Sequence, residues 1–373
     1  MSLPYRREEA KTWARATMRG VCNVIMPTFT SDLRRLNPDA IRHDVRRAAS
    51  MGFWGSLVAS ECGATAEEMK QFIEIVAAER PANHHLVLHG AFGTLADVIT
   101  MCRFAETHGC DAVLLSYPLT FYPRTSDEIV EYTAAISRAT DLGVILFAIG
   151  FWGFRRLHVS AFPPDALVKM AKIDTVMALK YECGQPGTGG MVEVQKKLGR
   201  DLVISDPLEQ NSPAWVDAYG MQWMGTSYYN YFGDRVPRYF RLMHEGRWDE
   251  AMQIYWAIHP CREAYAAMRQ TLGGAALVHR LAWKYMEWLN GFNGGPIRMP
   301  HMRLNGGQMR LLRDGAVQSG LDVTPDADAE FFTGRHPAQR GARYRDAGLV
   351  GGRRSLGARP PGGRRRHRAG PAR

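Results

Sequence analysis

Apolar and polar positions recur along the first 230 residues in one repeating order: a short apolar run, a loop, then a longer stretch with helical spacing. The apolar runs are Val21–Met26, Gly55–Ala59, Leu86–Leu88, Ala112–Leu115, Val144–Ile149, Val176–Lys180, Leu202–Ser205 and Met221–Ser227. Each is short and bounded by glycine, proline or polar residues, which reads as a buried strand. Helical patterns lie between them, at Pro38–Met51, Ala66–Glu79, beyond Thr94, and at Ser126–Ala139, Pro164–Lys172, Gly190–Leu198 and Ser212–Tyr219. Residues 1–20 form a helical lead-in. Eight βα units predict an α/β fold, a closed (β/α)8 TIM barrel or an open doubly wound sheet. Eight repeats favour the barrel, and no G-x-G-x-x-G follows the first strand, which weakens the dinucleotide-binding alternative. The glycine-rich Gly187-Thr188-Gly189-Gly190 lacks a following Lys-Ser/Thr pair and reads as a βα loop.

After the eighth strand the pattern becomes helical throughout. Arg235–Gly246 is followed by Trp248–Leu289, rich in Ala, Met and aromatic residues, and Asn293-Gly294-Gly295-Pro296 breaks the run. A last helix over Gly307–Gly320 precedes an acidic linker, Thr324–Glu330. The expected organisation is a barrel over residues 1–230, a C-terminal helical region over 231–323, and a linker and disordered Arg/Gly/Pro tail over 324–373.

Charge changes the picture less than its total suggests. The net charge is +10, but residues 335–373 hold twelve arginines and one acid, a balance of +11. The body is therefore close to −1 and does not call for nucleic acid. Eight of the arginines lie in 353–373 without an acid, enough for salt-sensitive phosphate contact, but a solvated or spurious extension is the preferred reading. The charged N-terminus lacks a signal-peptide core, and no apolar run reaches membrane-spanning length. Six scattered cysteines without a C-x-x-C pair argue against a zinc site or a disulfide framework and suit a reducing cytoplasm.

In a parallel barrel the chemistry sits at the C-terminal strand ends. The residues there are Pro27 and Thr28; Ser60, Glu61 and Cys62; His89; Ser116 and Tyr117; Phe147; Lys180; Asp206; and Thr226, Ser227 and Tyr228. Lys180 is the only lysine among them. A buried ammonium is costly, and a lowered pKa leaves a neutral amine able to attack a carbonyl. No cluster has metal-ligand spacing, and no cofactor is called for. A Ser-His-Asp set would need Ser60 or Ser116 with His89 and Asp206, and nothing in the spacing supports it. Imine chemistry on a 2-oxo acid fits a lone strand-end lysine, given carboxylate donors and a proton-moving group.

Over roughly residues 20–320 the chain resembles the dihydrodipicolinate synthase/N-acetylneuraminate lyase family of Schiff-base lyases. The resemblance rests on Val176–Lys180, Ser205-Asp206-Pro207 and Gly225-Thr226-Ser227 at strand ends. Further along it rests on His244-Glu245-Gly246-Arg247-Trp248-Asp249-Glu250-Ala251 and Gly294-Gly295-Pro296-Ile297-Arg298-Met299-Pro300. It implies Lys180 as the imine-forming residue and a small 2-oxo acid substrate, with an aldehyde as second reactant or product. It also implies a homo-oligomer, dimer or tetramer. Ser60, Glu61, Phe147, Asp206, Thr226 and Ser227 are the expected substrate-binding positions. Two departures stand out. The family's G-T-T-G-E is replaced by Val58-Ala59-Ser60-Glu61-Cys62-Gly63, so the threonine donors for the pyruvate carboxylate are missing. The family's tyrosine in I-L-Y-N-x-P is replaced by Phe147 in Val144-Ile145-Leu146-Phe147-Ala148-Ile149-Gly150. Tyr117 and Tyr122 are the expected substitutes for its hydroxyl.

The Glu61-Cys62 and Lys180-Tyr181 pairs resemble those of the hydratase-aldolase branch, which cleaves arylidene-pyruvates. Phe121, Tyr122, Phe151, Trp152, Phe154, Tyr228, Tyr229 and Tyr231 would suit a flat apolar substrate. The alternative is a catalytically degenerate barrel that binds a metabolite or partner without turnover.

Overall fold

The structure, a computed structural model, describes residues 2–182, 188–272, 279–299 and 303–336. Its core is a parallel eight-stranded sheet: β1 (Gly20–Ile25), β2 (Gly55–Val58), β3 (His85–Gly90), β4 (Ala112–Leu115), β5 (Gly143–Ile149), β6 (Val176–Glu182), β7 (Val203–Ser205) and β8 (Trp223–Gly225). The order β7-β6-β5-β4-β3-β2-β1-β8 wraps the sheet into a nearly closed TIM barrel. Almost every strand residue is buried, as continuous apolar runs covered on both faces require.

The seam between β7 and β8 is held by a side chain. Ser205 Oγ donates to the Gly225 carbonyl at 3.1 Å and accepts from the Gly225 N–H at 3.0 Å. Gly225 has no room for a Cβ, which would come within 2.8 Å of Cys22 Cβ. Helix α1 (Ala10–Thr17) underlies the barrel. Seven helices then alternate with the strands: α2 (Pro38–Ser50), α3 (Ala66–Glu79), α4 (Leu95–Thr107), α5 (Ser126–Ala139), α6 (Pro164–Met170), α7 (Thr188–Leu198) and α8 (Ser212–Tyr219). Asn37, Thr65, Thr94 and Thr125 cap α2 to α5 by accepting a backbone N–H in the first turn, so each turn ends where the sequence supplies a short polar side chain.

The chain continues into α9 (Arg235–His244), α10 (Trp248–Ala257), α11 (His259–Gln270), α12 (Arg280–Leu289) and α13 (Gly306–Gln318). The continuous helical pattern over Trp248–Leu289 is thus divided. Pro260 cannot continue α10 but suits the first turn of α11. Two further expectations are corrected. Thr188–Gly190 belong to the first turn of α7 rather than a loop, with Gly187 outside the described residues. Strand β6 runs two residues beyond Lys180, to Glu182.

The acidic stretch after α13 is docked against the C-terminal helices. Asp328 accepts from Arg313 and from the Tyr285 hydroxyl, and Phe331 is buried on Tyr285 and Trp288. Arg335 pairs with Asp326 at 3.0 Å. The expected disordered tail lies outside the described residues from 337 onward. Among the described residues no helix is long and apolar enough to cross a membrane.

Candidate active site

Lys180 stands on β6 between Phe147 of β5 and Ser205 of β7, its register partners in the sheet. It is 6% exposed. Its Nζ lies 3.9 Å from the centre of the Phe147 ring, which Trp152 braces by donating its indole N–H to the Phe147 carbonyl. Burial pushes the Lys180 amine below its ordinary pKa; Glu182 and Glu61 pull it back in part, and Arg280 pushes it down.

Because side chains alternate along a strand, Glu182 shares the face of Lys180. Its Oε2 is 3.6 Å from Lys180 Nζ, with 27% of the side chain exposed. Burial, with Asp206 acting in the same direction, raises the Glu182 pKa against the attraction of Lys180 and Arg269. The mouth thus pairs an amine with a lowered pKa and a carboxyl with a raised one, a combination suited to passing a proton between them.

A second group lines the β2–β3 side. Arg280, the first residue of α12, binds the Glu61 carboxylate with one nitrogen and the Tyr228 hydroxyl with another. Its side chain is 12% exposed, whereas Glu61 stands at the rim with 42% exposed. Burial would raise the Glu61 pKa, but His89, Arg280 and Lys180 together bring it below the ordinary value. His89 on β3 is buried, with Nε2 3.0 Å from Ser116 Oγ, and burial lowers its pKa to about 4, so it is neutral. Its Nδ1 is buried without a partner among the described residues, as is Thr226 Oγ1. An orphaned buried polar atom costs about 1–3 kcal/mol, a penalty that a polar ligand would relieve.

Helix α12 is fixed by its own polar stripe. Arg280, Lys284 and Glu287 are spaced to lie along one helix face. Lys284 Nζ donates to Thr28 Oγ1 at 2.9 Å and to the Pro27 carbonyl at 3.1 Å. Glu287 accepts from Asn230, which also donates to the Val24 carbonyl and accepts from Asn23. This network bolts α12 to the end of β1 and so fixes where Arg280 stands. Arg298 adds a second tie, gripping Glu68 with two nitrogens at 2.5 and 2.8 Å and reaching the carbonyls of Leu33 and Gly63.

The expected site residues divide. The structure groups Lys180 with Phe147, and electrostatic coupling links Lys180 to Glu61. Ser60 donates weakly, at 3.3 Å, to the Ala91 carbonyl, and Ser227 is half-buried at the β8 end. Asp206 is not free for a substrate: it already accepts from Leu208 N–H, Asn211 and Trp215 at 2.8–2.9 Å, and so shapes the turn after β7. Tyr117 is corrected. Its hydroxyl lies 2.8 Å from Thr133 Oγ1 on α5 and 3.6 Å from Met170 Sδ on α6, in the layer between barrel and helices. Tyr122 is 73% exposed, with Arg156 stacked 3.7 Å from its ring. The Tyr117 phenol is thus not arranged to serve Lys180.

Glu182 and Arg280 were not anticipated. The first was legible as the residue two beyond the lysine on the same strand. The second has no local signal, because a contact across 219 residues brings it to Glu61. Among the described residues no group of three His, Cys, Asp or Glu is placed to hold a metal ion. A cleft of about 650 Å³ opens at the other end of the barrel, beside Arg19, Gly20 and Gln222, away from these residues.

Comparison with known proteins agrees with this geometry. A model of the dihydrodipicolinate synthetase family matches residues 60–288. The chain is 22% identical over 290 residues to a 4-hydroxy-tetrahydrodipicolinate synthase of Methanosphaerula palustris, covering 75% of this chain and 92% of that one. It is 24% identical over 136 residues to the enzyme of the same name from Methanopyrus kandleri, covering 35% of this chain and only 45% of the relative. The fold is similar to that of N-acetylneuraminate lyase from Fusobacterium nucleatum, with a TM-score of 0.66 at 18% identity over 81% of this chain and 99% of that one. The matched span runs from the β2 strand end through Lys180 to α12, and the chain belongs to the dihydrodipicolinate synthetase family.

Proposed function

We propose that the protein is a Schiff-base lyase that makes or breaks a carbon–carbon bond in pyruvate or a substituted 2-oxo acid through an imine on Lys180. The observation that carries this reading is the buried strand-end amine, lowered in pKa, with a carboxyl of raised pKa 3.6 Å away.

The neutral amine adds to the ketone carbon, and Glu182, as the acid, protonates the departing hydroxyl to release water. The protonated imine withdraws electrons from the adjacent carbon. A bond from that carbon then breaks to leave an enamine, while Glu182, now a carboxylate, takes the hydroxyl proton of the leaving aldehyde. Protonation of the enamine and hydrolysis return the lysine. Glu182 thus takes the proton-moving part for which Phe147 has no hydroxyl. Its presence beside the amine weighs against a barrel that binds without turnover.

An arylidene-pyruvate, which must first take up water across its double bond to give the hydroxyl-bearing adduct that is then cleaved to pyruvate and an aromatic aldehyde, is one substrate of this class. Phe147 and Trp152, with ring centres 5.6 Å apart, offer an apolar face beside the amine that would suit its ring. The other aromatic residues contribute less to such a face. Phe121 and Phe154 pack against Tyr117, and Tyr229 donates its hydroxyl to the Pro207 carbonyl. Assembly as a dimer or tetramer belongs to the same proposal and is read by light scattering.

The test is reduction with borohydride in the presence of pyruvate, followed by mass mapping. An adduct on Lys180, absent from Lys180→Ala, is the expected result, and aldehydes are then screened for turnover. Absence of an adduct with every 2-oxo acid tried would rule the reading out.

A further inference from the structure

We propose that Arg280, delivered by the C-terminal helical region, is the residue that binds the carboxylate of the 2-oxo acid. The inference rests on the Lys180 imine reading and assigns a specificity-determining residue within it.

The β2 strand end lacks side-chain donors for a carboxylate. Val58 and Ala59 carry no side-chain donor, the Ala59 N–H is spent on the Ile25 carbonyl, and the Ser60 hydroxyl is turned to the Ala91 carbonyl. A carboxylate brought next to Lys180 needs a cation or several N–H groups, since an unpaired buried charge is expensive. Once Lys180 is neutral, Arg280 is the cation whose coupling reaches both Lys180 and His89. It stands at this strand end, in contact with Glu61, and is mostly buried. One nitrogen serves Tyr228 and another serves Glu61, and among the described residues the guanidinium has no further hydrogen-bond partner. A planar fork held in this way can receive a carboxylate on its remaining N–H groups.

Two further observations point to a ligand here. His89 Nδ1 is buried and orphaned, and the same couplings tie that imidazole to Glu61, Arg280 and Lys180. In addition, α12 is anchored to β1 through Lys284 and Glu287 and stacks Trp283 on Tyr228 with ring centres 3.7 Å apart. The guanidinium is therefore fixed before any ligand arrives, which reduces the ordering needed on binding. Glu61 keeps a role as the counter-charge that holds the fork in plane and yields part of it to the substrate.

The test compares pyruvate with methyl pyruvate, which keeps the ketone and loses the negative charge, in borohydride trapping on the full chain. Wild type should trap pyruvate at lower concentration than the ester. Arg280→Ala should raise the half-saturating concentration of pyruvate roughly tenfold to a hundredfold more than that of the ester, the effect of losing one charge-assisted hydrogen-bonded contact; the ester reads the smaller loss common to both ketones that follows when a cation lowering the Lys180 pKa is removed. Arg280→Lys should fall between the two. The pyruvate-to-ester ratio is insensitive to a general loss of folded protein, so a destabilised variant still gives an answer. An equal loss for both ketones, or an unchanged pyruvate response, overturns the assignment while leaving the imine reading intact. A wild type that traps neither ketone overturns the imine reading, and this inference with it.

Discussion

Glu182 Oε2 lies 3.6 Å from Lys180 Nζ, two residues further along the same strand. The separation follows from strand geometry, because every second side chain emerges on one face. Glu182→Gln keeps the shape and removes the titrating proton. Turnover should fall about 10²–10⁴-fold, the usual span for a lost general acid–base group, while pyruvate is still trapped on Lys180 at long incubation, more slowly because Glu182 also assists loss of water from the adduct. The pH profile of trapping supplies a second readout. The Glu182 carboxylate favours the ammonium form of Lys180, so its loss lowers the amine pKa further. Trapping requires the free amine, and its acid limb should therefore move to lower pH. A turnover within threefold of wild type would remove Glu182 from the reaction.

Tyr117 provides the opposite case. Its hydroxyl is buried against Thr133 and Met170, outside the barrel interior. Tyr117→Phe should leave turnover and trapping within twofold of wild type and lower stability by about 0.5–1.5 kcal/mol, the net value of one buried hydrogen bond. Denaturant titration alongside steady-state rates separates the two effects. A large fall in rate with unchanged stability would return Tyr117 to the active site.

These two residues also mark how far the sequence could be read. The βα repeat and its apolar runs placed the strands to within two residues, because a parallel barrel buries its strands on both faces and leaves a strong local pattern. Lys180 was legible for the same reason, as a charge where the pattern demands an apolar residue. Glu182 was obscured by ending the strand at the lysine; extending it by one alternation would have placed the carboxyl on the amine's face. Tyr117 misled because sequence gives its strand end but not the side on which its ring lies. Arg280 was out of reach, since its place depends on contacts among Lys284, Thr28, Glu287 and Asn230, which are distant in the chain.

Ser205 closes the barrel where the β7–β8 ladder is lacking, exchanging two hydrogen bonds with Gly225. Ser205→Ala would leave both polar groups of Gly225 without that partner in a buried seam. The expected loss is about 1–3 kcal/mol in urea unfolding, with faster hydrogen exchange at the Gly225 amide. Since Ser205 is also the register neighbour of Lys180, a fall in turnover should accompany the loss of stability. Unchanged exchange at Gly225 would show that the seam is held by other contacts.

Asp44 makes the anchorage of α12 pH-sensitive. It is buried, accepts the Asn293 N–H at 2.6 Å, and faces Lys284, Thr28 and His336. Burial dominates and raises its pKa from 3.8 to about 6, against the pull of Lys284, the Asn293 N–H, His336 and Thr28. The folded state therefore binds this proton more tightly than the unfolded chain does. The stabilisation is complete well below the ordinary carboxyl pKa of 3.8 and is lost as pH rises through about 6. A shift of this size corresponds to about 3 kcal/mol. Asp44→Asn imitates the protonated form and keeps an acceptor for Asn293, so it should remove this pH dependence. Between pH 4 and pH 7, wild type should lose about 2–2.5 kcal/mol relative to the variant in urea unfolding followed by tryptophan fluorescence. Carboxylates not coupled to Asp44 titrate equally in both proteins and cancel in the difference; Glu287, whose pKa is raised by burial and further by the Asp44 charge, does not, and repeating the comparison in a Glu287→Gln background removes it. Parallel stability curves for the two proteins would show that Asp44 titrates normally and that the contacts holding α12 to β1 do not depend on its proton.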